Sequence, residues 1–303
     1  GGIITIGEYT FSDCNSLKSI TIPDGVSSVG DYAFSGCTNL TNVTMPNSLI
    51  TIGDYVFSDC NNLTSITMSN NVTHIGNFAF SGCSNIACIT IPNSVTTIGH
   101  RAFSDCSSLT NITVPDSIVS IGDYVFYECN SLRYNEYGNA RYLGSKNNLY
   151  YMLAETVDKT VTNVDINVDT KIISGYAFYD CVSLTSIIIP DNVISIGSYA
   201  FGNCGGLISV TISDGVKTIG NGAFSGCKSL TKITIPNSAT CIGVFAFNNC
   251  DSLQFNEYGN AHYLGSENNP YFALVETVDN NVTNVDINEA TEIICDEAFG
   301  YCK

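Results

Sequence analysis

Residues 17–39 read Leu17-Lys18-Ser19-Ile20-Thr21-Ile22-Pro23-Asp24-Gly25-Val26-Ser27-Ser28-Val29-Gly30-Asp31-Tyr32-Ala33-Phe34-Ser35-Gly36-Cys37-Thr38-Asn39. Ile20 and Ile22 face one way and Ser19 and Thr21 the other, the alternation of a half-buried strand. Pro23-Asp24-Gly25 supplies turn chemistry: a preset φ, a side chain able to bond the backbone, and a glycine. Val26 and Val29 fit a second short extended segment that ends at Gly30. Ala33, Phe34 and Cys37 are spaced for an inward-facing turn or a short helical loop. One such unit cannot bury these side chains alone, whereas stacked units build a continuous core.

The unit recurs along nearly the whole chain. Cysteines 14, 37, 60, 83, 106 and 129 are 23 residues apart, and Cys181, Cys204, Cys227 and Cys250 continue the spacing. A phenylalanine precedes each cysteine by three residues, from Phe11 and Phe34 to Phe247. The steps from Cys129 to Cys181 and from Cys250 to Cys302 are both 52, two units plus six residues, with the intervening unit remodelled. A period of this length is the mark of a solenoid or a related repeat array.

Leu17, Ile20 and Ile22 have the L-x-x-L-x-L spacing of a leucine-rich repeat. The run Ile112-Thr113-Val114-Pro115-Asp116-Ser117-Ile118-Val119-Ser120-Ile121-Gly122-Asp123-Tyr124-Val125-Phe126 resembles the BspA-like class of such repeats. The resemblance implies a curved, β-rich leucine-rich repeat solenoid, part of a large bacterial or protist surface protein. It further implies adhesion to host proteins or other cells.

Composition narrows the function classes. The 303 residues carry 11 Lys+Arg against 28 Asp+Glu, a formal charge of −17, and only 13% are charged while 44% are apolar. So few cations argue against binding a phosphate backbone or an anionic membrane surface. No apolar run approaches the roughly 20 residues of a spanning helix, and no basic-then-apolar leader opens the chain. The absent initiator Met and the chain ends inside repeat units, at Ile3–Gly7 and Tyr301–Lys303, read as a fragment of a longer protein flanked by further repeats or domains.

Fourteen cysteines invite a disulfide reading, but in-register thiols about 4.8 Å apart with parallel Cβ vectors suit the S–S torsion poorly. A column of small buried apolar residues is the expectation. Cys88, Cys241 and Cys295 lie off that column, and Cys88 takes the outward strand position held by Ser65 and Asn111 in other units. No Cys-x-x-Cys and no paired His would complete a zinc site. Of the three histidines, His74 and His100 read as variable surface residues, and no nucleophile-elbow, zincin or phosphate-loop motif occurs. Asp24, Asp116, Asp191 and Asp214 alternate with Asn47, Asn93 and Asn237 as turn formers. Asp158, Asp165 and Asp169, repeated as Asp279, Asp286 and Glu289, could support weak calcium binding, but no EF-hand-like run accompanies them. No cofactor, metal or catalytic residue is expected.

The singular feature is a duplicated insertion. Residues 131–181 and 252–302 are copies offset by 121. Tyr137-Gly138-Asn139 and Tyr258-Gly259-Asn260 between extended aromatic segments are hairpin signals, placing inserted β-hairpins at about 133–160 and 254–281. Residues 150–156 are expected to pair with the first hairpin, residues 161–166 and 282–287 to restore the solenoid strand, and the hairpins to bulge from one face. Candidate binding residues are Tyr134, Tyr137, Arg141, Tyr142, Tyr150 and Tyr151, with Phe255, Tyr258, His262, Tyr263, Tyr271 and Phe272 in the copy. Their rings either offer flat contact area to a glycan or protein or pack the hairpin onto the solenoid. A second candidate surface is the outward threonine row, Thr21, Thr44, Thr67, Thr90, Thr113, Thr211 and Thr234, beside Asn42, Asn111 and Lys232.

The sequence therefore predicts one solenoid domain over 1–303, of eleven partial or complete coils spanning about 50 Å. Its expected role is non-catalytic recognition or adhesion at the extracellular cell surface, with a protein or glycan partner, no nucleic acid and no membrane insertion. A passive spacer projecting another domain is the alternative.

Overall fold

The computed structural model describes residues 2, 4–279, 281–300 and 302; among them are strands and turns and no helix. Ile3, Tyr301 and Lys303, at the ends read as interrupted repeats, lie outside the described residues. The chain forms a β-solenoid with two compact units, Gly1–Asn135 with Leu143–Leu149, and Glu136–Tyr142 with Tyr150–Lys303.

In the first unit each coil contributes two strands. Two-residue strands, Thr5–Ile6, Ser28–Val29, Thr51–Ile52, His74–Ile75, Thr97–Ile98 and Ser120–Ile121, make one six-stranded parallel sheet. Longer strands make a second row: Ser19–Thr21, Asn42–Thr44 and Ser65–Thr67 in one sheet, Cys88–Thr90 with Asn111–Thr113 in another. Partners are 23 residues apart, so Thr21, Thr44 and Thr67 stand in register, as do Thr90 and Thr113. The second unit repeats the pattern with Ser186–Ile189, Ser209–Ile212 and Lys232–Ile233, and with Ile172–Ile173, Ser195–Ile196, Thr218–Ile219 and Cys241–Ile242.

The segment carrying Ala33, Phe34 and Cys37 is a run of turns, and left-handed backbone rules out a helix there. Two residues per coil take positive φ: Tyr32 (58°) and Gly36 (71°), matched one coil on by Tyr55 (56°) and Asp59 (58°). The second position alternates Asp13, Gly36, Asp59, Gly82 and Asp105, residue types that enter this region at low cost. An aromatic there is strained. The strain at Tyr32 is offset by its N–H donating to Asp54 O (2.9 Å) and by stacking on Tyr9 and Tyr55, with ring centroids 4.8 and 4.5 Å apart. Phe34 N–H to Val56 O and Gly36 N–H to Ser58 O continue the ladder, so the irregular backbone is satisfied by the next coil.

Inside this ladder the phenylalanines form columns of near-parallel rings, 5.1–5.9 Å apart from Phe11 to Phe126 and 4.9–5.9 Å apart from Phe178 to Phe247. The cysteine column lies beside them, every thiol free. Cys60 Sγ donates to Phe34 O at 3.2 Å and Cys227 Sγ to Phe201 O at 3.1 Å, and this contact repeats along the column. Burial, reinforced by neighbouring thiols, pushes the Cys204 pKa up to about 12. The column's outermost members, Cys14 and Cys302, are exposed.

Three expectations are corrected. The coils number about thirteen rather than eleven, because Met152–Thr156 and Ala273–Thr277 each complete a coil by pairing parallel with Ile172–Ile173 and Ile293–Ile294. Residues 161–166 and 282–287 are not strands: the hairpin turns take their hydrogen bonds, with Asp165 N–H donating to Gly138 O (3.1 Å) and Asp286 N–H to Gly259 O (3.0 Å). The hairpins do not bulge; Ala140, Tyr142, Leu143 and Ala261, Tyr263, Leu264 are buried in the core.

Candidate recognition surface

Each hairpin turns on two residues with positive φ, Gly138 (55°) and Asn139 (68°), or Gly259 (56°) and Asn260 (66°). Two such residues match the right-handed twist of the strands they join. A Cβ on Gly138 would collide with the Asp165 carbonyl, so the glycine is also required by close approach. In the second copy Asn256–Tyr258 pairs antiparallel with Ala261–Leu264, which pairs antiparallel with Ala273–Thr277. The first copy has the same strand order, Asn135–Tyr137, Ala140–Leu143, Met152–Thr156, so residues 152–156 pair as expected.

The twelve candidate residues separate by burial. Tyr142, Tyr151, Tyr263 and Phe272 are buried, and their rings are core rather than contact surface. Tyr142 crosses Tyr150 edge to face (5.5 Å), and its hydroxyl accepts the Asn167 N–H at 3.2 Å. Burial pushes its pKa up to about 12. Tyr263 repeats this with Tyr271 and the Asn288 N–H (3.3 Å). A ring anchored in the core and bonded to the following loop ties the hairpin down, which is why it lies flat.

Tyr137 and Tyr258 are exposed at 40% and 44%, and the half-buried Tyr150 and Tyr271 brace them at 5.8 Å. Tyr137 Oη donates to Asp165 Oδ2 (3.1 Å), and that bond, with the charge behind it, raises the phenol pKa. Tyr134 and Phe255 are half-buried, Phe255 stacked on the His262 ring at 4.8 Å. Arg141 and His262 occupy equivalent sites between two carboxylates. Arg141 Nη1 donates to Glu155 (2.9 Å) and Nε to Glu136 (3.4 Å), and the Glu155 bond leads the causes that raise its pKa. His262 Nδ1 lies 3.3 Å from Glu276 and Nε2 3.7 Å from Glu257.

Sequence reasoning missed those bracketing acids, although their recurrence at an offset of 121 marks them. It also missed the outer column Tyr9, Tyr32, Tyr55 and Phe78, which lies at the repeat spacing and is stacked through 4.8, 4.5 and 4.6 Å. The threonine row is solvent-facing along Thr21, Thr44, Thr67, Thr90 and Thr211, with Thr113 and Thr234 half-buried. Asn42, Asn111 and Lys232 are exposed beside it, as is Cys88. Cys241 is exposed, and Cys295 is buried. Among the described residues no His, Cys, Asp and Glu cluster could hold a metal ion, and no helix is long and apolar enough to cross a membrane.

Residues 4–133 and 157–267 match the model of the BspA type leucine rich repeat region, in six copies. The chain belongs to this BspA-type leucine-rich repeat family. Among solved structures it is similar to a leucine-rich repeat protein from Bacteroides ovatus, with 26% identity over 97% of this chain and 78% of that one (TM-score 0.41). A leucine rich cell surface protein from Faecalibacterium prausnitzii has 29% identity over 83% and 82% (TM-score 0.40). A leucine-rich repeat protein from Eubacterium ventriosum has 24% identity over 99% and 80% (TM-score 0.40). No curated protein matches the chain.

Proposed function

We infer that this BspA-type chain is a non-catalytic recognition module that works at the cell surface and binds an extracellular protein or glycan. The observation that carries the reading is the division of labour in the duplicated hairpins. Buried anchors such as Tyr142 and Tyr263, or Leu153 and Leu274, are identical between copies. The chemistry around the exposed pair Tyr137 and Tyr258 differs in part: half-buried Arg141 becomes His262, and exposed Lys146 becomes Glu267. Divergence at positions such as Lys146 and Glu267 on a retained frame suits recognition. The cell-surface description of the similar Faecalibacterium protein supports the location.

The test is a binding screen of the whole chain against extracellular-matrix proteins, mucins and glycans at physiological salt. It runs beside a Tyr137→Ala, Tyr258→Ala variant, which spares the buried pair. A ligand lost in the variant places recognition on the hairpins, and a ligand retained places it elsewhere on the coils. No binding at micromolar concentration overturns recognition by this chain and favours a spacer.

A further inference from the structure

Because the fold repeats, each coil is a control for the others. The residue that opens the turn at this point of the repeat is polar in Asp24, Asn47, Asn93, Asp116, Asp191 and Asp214, but in the coil whose residues 161–166 form no strand it is Val168. The outward strand row of threonines is broken in the adjoining coil by Ile188, paired in register with Thr211. These two departures are among the most exposed aliphatics of the chain, Val168 at 67% and Ile188 at 68%, and they line the same groove. The duplicated insertion carries Glu289 where the first has Val168, so the aliphatic is not demanded by the insertion's fold. Exposed apolar side chains gathered in one place, where equivalent sites are polar, mark contact surface.

The groove, about 440 Å³, also takes in Asp165, Pro190, Asp191 and Asn192. Asp165 and Asp191 are exposed, and no Lys or Arg is among the lining residues. The nearby Lys171 ammonium donates to Asn192 Oδ1 (3.0 Å). Asp165 accepts the Tyr137 hydroxyl, so an exposed hairpin ring adjoins the groove. Apolar floor, carboxylates on its margin and a chain of net charge −17 together call for a partner of opposite sign.

We propose that this groove docks a segment of a partner protein in which a large apolar side chain sits on Val168 and Ile188 while flanking Lys or Arg residues meet Asp165 and Asp191. The proposal rests on the recognition-module reading and specifies its surface and its partner's chemistry. Random twelve-residue peptides displayed on phage are selected on the immobilised full chain and counter-screened on a Val168→Asn, Ile188→Thr variant. That variant carries side chains the other coils already use, so its fold, checked by circular dichroism, is retained.

The expected peptides join Lys or Arg to Leu, Ile, Phe or Met, and bind the parent about ten-fold or more tighter than the variant, as removal of a central apolar anchor requires. Their binding weakens as salt rises from about 50 to about 300 mM, and Asp165→Asn with Asp191→Asn flattens that dependence. Acidic or wholly polar peptides, peptides that bind parent and variant alike, or no selected peptide overturn the groove. Loss on Tyr258→Ala alone would sink the groove yet leave recognition standing. An empty selection together with an empty extracellular screen would sink both.

Discussion

Thr170 puts a hydroxyl inside the core. It stands 23 residues before Val193, in the column of buried aliphatics that includes Val216, and it is 0% exposed. Its hydroxyl has no hydrogen-bond partner among the described residues. Thr170→Val keeps the shape and exchanges the hydroxyl for a methyl. Removing an unsatisfied buried hydroxyl recovers about 1–3 kcal/mol, and the methyl contributes up to about 0.8 kcal/mol of burial. The net expectation is a gain of about 1–4 kcal/mol, felt locally because repeat stability is a sum over coils and their interfaces. Urea unfolding followed by circular dichroism and by tyrosine fluorescence measures it, with Thr170→Ser as the control that keeps the hydroxyl and loses the methyl. Thr291, the copy, is only half-buried and also unpartnered, so Thr291→Val should gain less. A Thr170→Val protein less stable than the parent would mean that the hydroxyl is bonded in solution.

Gly138→Ala should cost about 1–3 kcal/mol, because φ is +55° and the added Cβ meets the Asp165 carbonyl; unchanged urea stability would contradict the turn geometry. Iodoacetamide at pH 8 should label Cys14, Cys88, Cys241 and Cys302 first and leave Cys204, Cys227 and Cys250 intact, read by peptide mass spectrometry. Burial raises the thiol pKa to about 11 at Cys181 and about 12 at Cys204 and Cys250 from an ordinary 9.0. The folded chain therefore holds protons that the unfolded chain releases, and stability should be full below pH 9 and fall as pH rises toward 12; a flat profile over that window would refute it.

The legibility of the chain follows the repeat. Phe34, Cys37 and Val29 were readable as core because each recurs at 23, and stacking leaves a recurrent apolar residue only one place to go. The free cysteine column followed from the same spacing, since parallel side chains cannot reach disulfide geometry. The Gly138-Asn139 turn was readable from backbone preference alone. The hairpins were less legible because they are the stretches without a flanking copy. Tyr137 and Tyr142 look equivalent as aromatics in one segment, yet one is exposed and bonded to Asp165 and the other is sealed in the core.

Short range and period account for the coil, its turns, its inward columns and the place of the insertions. Each of these is decided within one unit and its neighbours, and the chain states it many times over. Packing in three dimensions selects which hairpin rings are anchors, makes residues 152–156 rather than 161–166 continue the short-strand row, and brings Val168 and Ile188 to one groove. Those outcomes depend on strand register and on contacts between residues distant in the chain, and a pattern that occurs once or twice in a sequence does not encode where its partners will lie.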